Sequence, residues 1–282
     1  MANKTPNLLG RATFSFILDQ IRTCVNELAI FIEECSIEEL YDKNYLEKSK
    51  KVKSVRDNID LKNWALCDIA YAIVFFGVSE NGIKTITGIF RHTYKSRFLE
   101  IILTYFAVKP HKDSEYFLEW KMADQEFKDY YESKLSAVKD FFYSYNDFYP
   151  TFFKFYGGHQ AKLGHYYRHL YQTVTYINQQ EIFTYKEKYE YTKTLRAQLS
   201  TPEQYILFFN SISMLGRVWE FDKIDATASQ SNSYLITKYN LIKNIPDLNF
   251  ARSINIDDFY PDVKFEFRDK SPLRTKMEKF FK

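Results

Sequence analysis

Turn-forming residues are scarce in this sequence. Its 282 residues include only 8 Gly and 7 Pro, which argues against a many-stranded sandwich and in favour of long helices. Cysteine is scarce as well. Cys24, Cys35 and Cys67 are odd in number and follow no CxxC spacing, so neither a disulfide framework nor a zinc site is expected. They read as free thiols of a reducing, cytoplasmic compartment. The net charge is only +3, too small to signal nucleic-acid binding, so any basic surface must be local. Long apolar runs are missing too. The most apolar stretch, Trp64 to Val78, is short for a bilayer span and contains Asp68, which predicts a core helix and no membrane partner. The N-terminus has no basic start followed by an apolar run and a small-residue cleavage site, so a signal peptide is not expected. A GxSxG elbow, a Walker loop, a GxGxxG turn and an EF-hand loop are all absent, and no cofactor is expected. Gly157-Gly158 is not followed by the Lys-Ser/Thr of a nucleotide loop and reads as a flexible join.

Aromatic residues are what the sequence has in abundance: 26 Phe and 23 Tyr, in a chain 45% hydrophobic and 27% charged. That balance specifies a globular protein. Tyr, with an apolar body and a polar tip, suits half-buried helix faces. Phe14, Ile17, Ile21, Val25, Leu28 and Ile32 recur at helical steps and predict a helix over about 11–35. Further helices are expected over about 60–78, 94–108, 115–146, 161–180 and 184–198, then from Ser200 and from Tyr234 to Asn244. Ser79-Glu-Asn-Gly82 reads as a turn. Lys48, Lys50, Lys51, Lys53 and Arg56 read as a solvated connection, with an RNA-contacting patch as the alternative. Residues 222–233 read as a polar loop. In the tail the alternation of Val263, Phe265 and Phe267 suggests a short strand, and the final basic turn reads as frayed. The expected fold is mainly α: an N-terminal helical region with a basic connection (1–60), a bundle-like helical domain (61–250) and a small irregular or short-strand C-terminal tail (251–282).

One polar concentration stands out. On a wheel of 100° per residue, Leu163, Tyr167, Leu170, Val174 and Ile177 form the core stripe of the 161–180 helix, with His165, Arg168, His169 and Gln172 opposite. Two His and an Arg at these spacings can converge on a phosphate or carboxylate. They would serve metal-independent RNA cleavage as acid/base and anion clamp. A solvent-facing polar face is the plainer alternative. His165 and His169 have the spacing of a metal pair, but no third ligand follows, so a metal is not expected. Arg196 borders the apolar side of its helix and needs acidic or carbonyl partners, or a bound anion. Ser200-Thr-Pro-Glu203 fits a capping box, and Glu203, Asn210 and Arg217 repeat every seven residues along one polar strip.

The pattern Leu163-Gly-His-Tyr-Tyr-Arg168-His-Leu-Tyr171, followed by Tyr191-Thr-Lys-Thr-Leu-Arg196-Ala-Gln-Leu-Ser200-Thr-Pro-Glu203 and Leu207-Phe-Phe-Asn210, resembles the phage abortive infection (AbiC-like) family of bacteria. The likeness is clearest from about 155 to 215. It puts His165, Tyr166, Arg168, Tyr171, Arg196, Gln198, Ser200, Glu203 and Asn210 on the family's motif positions. Many relatives carry membrane helices ahead of this domain, whereas the sequence here reads as lacking them. The resemblance implies an antiphage effector, or toxin, that arrests growth of an infected cell. On the ribonuclease reading, His165, Arg168, His169 and Arg196 are catalytic, and Tyr166, Tyr171, Gln198, Glu203 and Asn210 bind or orient RNA. The alternative is a non-enzymatic protein that binds a phage or host protein through its helical surface. A regulatory partner or a homo-oligomer is expected in either case.

Overall fold

Helices make up nearly all of the regular structure, as the shortage of Gly and Pro predicts. The computed structural model describes residues 10–47, 59–130, 137–138, 141–142, 153–221, 234–251 and 254–267. The expected basic connection at 48–56, the 222–233 loop, most of the helix beyond 130 and the final basic turn lie outside the described residues. The chain divides into two compact units, residues 19–166 and residues 1–18 with 167–282.

The 19–166 unit is built from the greater part of α1 (Arg11–Glu34), then α2 (Ile37–Leu40), α3 (Leu61–Phe76), α4 (Glu80–Phe90), α5 (Ser96–Ala107) and α6 (Phe117–Tyr130). Ile21, Val25, Leu28 and Ile32 of α1 are all buried, as their spacing predicts. Helix α3 is buried continuously from Trp64 to Phe75, which accounts for its all-round apolar sequence. Within it, Asp68 is fully buried and accepts a hydrogen bond from the Tyr94 hydroxyl (3.0 Å). Among the described residues, no helix is long and apolar enough to cross a membrane.

Two expectations fail in this unit, both at glycine. Ser79-Glu-Asn-Gly82 is not a free turn. It opens α4, with Ser79 Oγ accepting from Gly82 N (3.3 Å). A Cβ on Gly82 would stand 2.2 Å from the Gly77 carbonyl oxygen, so only glycine lets α4 start this close to the end of α3. Nor is Gly157-Gly158 a loose join. Gly158 has φ +89°, and a Cβ there would meet the Phe76 carbonyl at 2.7 Å. Val78 N donates to Tyr156 O (3.0 Å) and His159 N to Phe75 O (2.8 Å), fastening both sides of the glycine pair.

The other unit contains most of α7 (Gln160–Gln179), α8 (Tyr185–Ala197), α9 (Thr201–Ile212), a 3-10 turn (Arg217–Trp219) and α10 (Leu235–Tyr239). Strands β1 (Asn249–Ala251) and β2 (Ile254–Asn255) follow as a small antiparallel pair, and then α11 (Ile256–Phe259). The helix expected over 234–244 stops at Tyr239. Asn240 enters the left-handed region at φ 50° and the chain continues in turns. Val263, Phe265 and Phe267 form no strand: Phe265 N donates to Val263 O (3.0 Å), a tight local turn that removes the amide from any ladder. Val263 and Phe265 are nevertheless buried.

Candidate functional site

Helix α7 follows its wheel as far as Val174, but at its last turn Ile177 is half-buried and Asn178 is buried instead. Leu163, Tyr167, Leu170 and Val174 are buried, while His165, Arg168, His169 and Gln172 are exposed. None of these four exposed side chains has a hydrogen-bond or ion-pair partner among the described residues. Tyr176, 67% exposed, continues the same face by one more turn. The result is a stripe from His165 to Tyr176 that spends nothing on the fold. Tyr166 beside it is half-buried.

Arg196 is different. It is 6% exposed, and its Nη1 donates to the carbonyl oxygens of Tyr239 and Asn240, each at 3.0 Å. Its guanidinium carbon lies 5.9 Å from the Tyr189 ring centre. The expectation that an Arg bordering the core needs carbonyl partners is met at the C-terminal end of α10, where carbonyls carry partial negative charge. Arg196 and Arg168 share no hydrogen-bond partner among the described residues.

Glu203 sits in the capping box that its spacing predicts. Its Oε2 accepts from Ser200 N (2.6 Å) and from Ser200 Oγ, with Pro202 in the first turn. The Tyr167 hydroxyl donates to the Glu203 carbonyl (2.9 Å) and so joins α7 to the start of α9. Asn210 Oδ1 accepts from Trp219 Nε1 (3.1 Å), and the Tyr171 ring packs edge-on against Trp219 at 5.0 Å. Tyr171, Trp219 and Asn210 therefore form one chain of contacts. Gln198 is exposed just past the end of α8. The expected seven-residue strip is cut short because α9 ends at Ile212, which puts Arg217 in the 3-10 turn with its Nε near the Ile212 carbonyl (3.4 Å).

Sequence reasoning missed three polar side chains of this unit. Asn178 Oδ1 accepts from Lys238 Nζ and the Tyr239 hydroxyl, both at 2.7 Å, while its carbonyl accepts from Lys188 Nζ (2.9 Å). Gln204 donates to Leu199 O (3.3 Å) and accepts from Asn244 N (3.1 Å). Glu220 accepts from Thr237 N (3.2 Å) and from the Thr237 hydroxyl. The only available signal was position: Asn178 lies in the last turn of α7, where cations are drawn to free carbonyls. Among the described residues, no group of three or more His, Cys, Asp or Glu side chains gathers as a metal would need.

No curated protein and no solved structure matches the chain. Residues 158–250, which carry α7, α8, α9 and α10, match the sequence model of one family. Over that stretch the chain is similar to the family described as "Putative phage abortive infection protein", the family that its Gly164–Tyr171 and Leu195–Asn210 motifs resemble.

Proposed function

We propose that the protein acts in phage abortive infection by binding a phage or host protein through the exposed stripe of α7. The family match carries the biological role. The stripe carries the mode of action. Arg196, Glu203 and Asn210 are occupied by backbone groups and by Trp219, whereas His165, Arg168, His169, Gln172 and Tyr176 face outward. Arg and Tyr are the side chains that most often anchor protein interfaces. An exposed helix face is convex, a shape suited to docking rather than to enclosing a small substrate. Binding there would divert a partner needed for growth or for phage replication.

A second reading, a toxin that cleaves RNA without a metal, rests on His165 and His169 standing one turn apart with Arg168 between them. These are the residue types of an acid/base pair and a phosphate clamp. Both readings are tested by expressing wild type and the triple variant H165A/R168A/H169A in phage-challenged bacteria. The expected result is loss of protection with unchanged thermal unfolding and intact cellular RNA in both strains. RNA degradation by wild type alone selects the nuclease. Full protection by the triple variant removes the stripe from either mechanism.

A further inference from the structure

A second surface of the 167–282 unit, at the start of α8 and along α10, has a chemistry of its own. Tyr185 is the first residue of α8 and is 56% exposed. Its hydroxyl donates to the Lys238 carbonyl (2.9 Å), so the ring is pinned at its tip. Its ring is nearly parallel to that of Tyr239, with 19° between planes and 6.3 Å between centres, and Tyr239 is fully buried. The Tyr189 ring also flanks Tyr185, tilted by 50° with 6.1 Å between centres. Tyr185 is thus an anchored ring held between two aromatic neighbours, with more than half of its surface open to a flat partner.

Two ammonium groups gather at Asn178, to which the hydroxyl of the neighbouring Tyr239 also donates. Lys188 Nζ and Lys238 Nζ each donate to one oxygen of Asn178, at 2.9 and 2.7 Å. Each ammonium has three donors, so two remain on each. Neither lysine has a carboxylate partner among the described residues. Of the acids on α8 itself, Glu187 accepts from the Thr184 cap and Glu190 pairs with Lys193. Burial lowers the Lys238 ammonium below its usual range and the Lys188 charge lowers it further, in keeping with two like charges held close together. A bound anion would relieve that repulsion.

We propose that Tyr185, Lys188 and Lys238 form a nucleotide-binding surface, with a base stacked on the Tyr185 ring and its phosphate held by the two ammonium groups. Stacking on a tyrosine accepts any base, and lysine contacts follow the phosphate, so the surface suits a single strand as well as a free nucleotide. It shares no residue with the α7 stripe and stands or falls apart from it.

The test is direct binding by the full chain, using fluorescein-labelled oligouridylate in anisotropy and adenosine 5′-monophosphate in calorimetry. Binding of the oligomer alone supports the surface with a strand as its source. Binding of the monophosphate as well supports a free nucleotide. Tyr185→Ala should weaken binding at least about tenfold. Tyr185→Phe keeps the ring and should cost less than about threefold, and it covers the case in which the alanine variant folds poorly. The pair K188A/K238A should lower the slope of log affinity against log salt by about 1 to 1.5. No binding of either probe overturns the proposal. So does binding that Tyr185→Ala and K188A/K238A leave unchanged, or equal binding of a polyglutamate peptide that is indifferent to Tyr185→Ala.

Discussion

In the 19–166 unit the Lys109 ammonium is buried against a carboxylate, that of Glu27, while in the 167–282 unit the Arg196 guanidinium is buried against two carbonyl oxygens. The Lys109 side chain is 4% exposed and lies 3.9 Å from the Phe155 ring, 5.0 Å from Trp120 and 5.4 Å from Tyr156. The Tyr156 hydroxyl donates to the second oxygen of Glu27 (2.8 Å). Burial and the Glu27 charge hold the neighbouring Cys24 thiol well above its ordinary value, which keeps it inert. The two solutions differ in what they leave behind when broken. Losing Lys109 strands a charge. Losing Arg196 strands only neutral dipoles and removes the charge along with them.

The largest effect therefore belongs to Lys109. Lys109→Met should destabilise the protein by about 3–5 kcal/mol in denaturant unfolding, because Glu27 is left largely buried without a counter-charge. The double variant E27Q/K109M removes both charges and should cost less than K109M alone. If the double variant costs as much as the sum of the two single variants, the pair is not coupled and the contrast with Arg196 collapses.

Next in size is the pH dependence of the same unit. His159 is held down at about 4, first by burial and then by the Lys162 charge. Gln20 donates through Nε2 to the Phe155 carbonyl (3.0 Å), so its Oε1 is the acceptor facing His159 and the proton sits on His159 Nε2. The folded value lies below the ordinary 6.5, so the unfolded chain binds a proton that the folded chain refuses. This contribution is complete above pH 6.5 and is lost as pH falls toward 4, at most about 3 kcal/mol. His159→Gln keeps a donor for Gln20 and should flatten the unfolding profile between those limits. An unchanged profile would assign the acid sensitivity to other groups.

Much of this contrast is invisible in the sequence, for a physical reason. Periodicity reports which face of a helix is buried, so α1, α3 and the core stripe of α7 were legible. The capping box at Ser200 was legible because it is local, complete within four residues. Helix α4 was not, since Asn81-Gly82 has the composition of a turn and the need for glycine comes from the Gly77 carbonyl on the neighbouring helix end. Arg196 could be placed beside the core, yet its partners are backbone carbonyls, which have no side-chain signature. Asn210 looked like part of a polar strip, whereas its partner Trp219 lies beyond the end of that helix. Nothing in the sequence marks Lys109 as buried, because lysine is seldom buried unless paired and its partner Glu27 lies far away in the chain.

The smallest of the three effects bears most directly on function. Arg196→Ala leaves the Tyr239 and Asn240 carbonyls without their charged donor and should cost about 2 kcal/mol, seen as a lowered midpoint in thermal or denaturant unfolding. Arg196→Lys still offers donors to those oxygens but loses the planar guanidinium near Tyr189, so about 1 kcal/mol is expected. Phage protection should follow stability across this series: weakened in the alanine variant, nearly restored by lysine, and restored further in cells grown at lower temperature. A fully stable Arg196→Ala protein without protection would break the pattern. Its guanidinium would then act on a ligand rather than on the fold, and the buried cation of this unit would belong to the site.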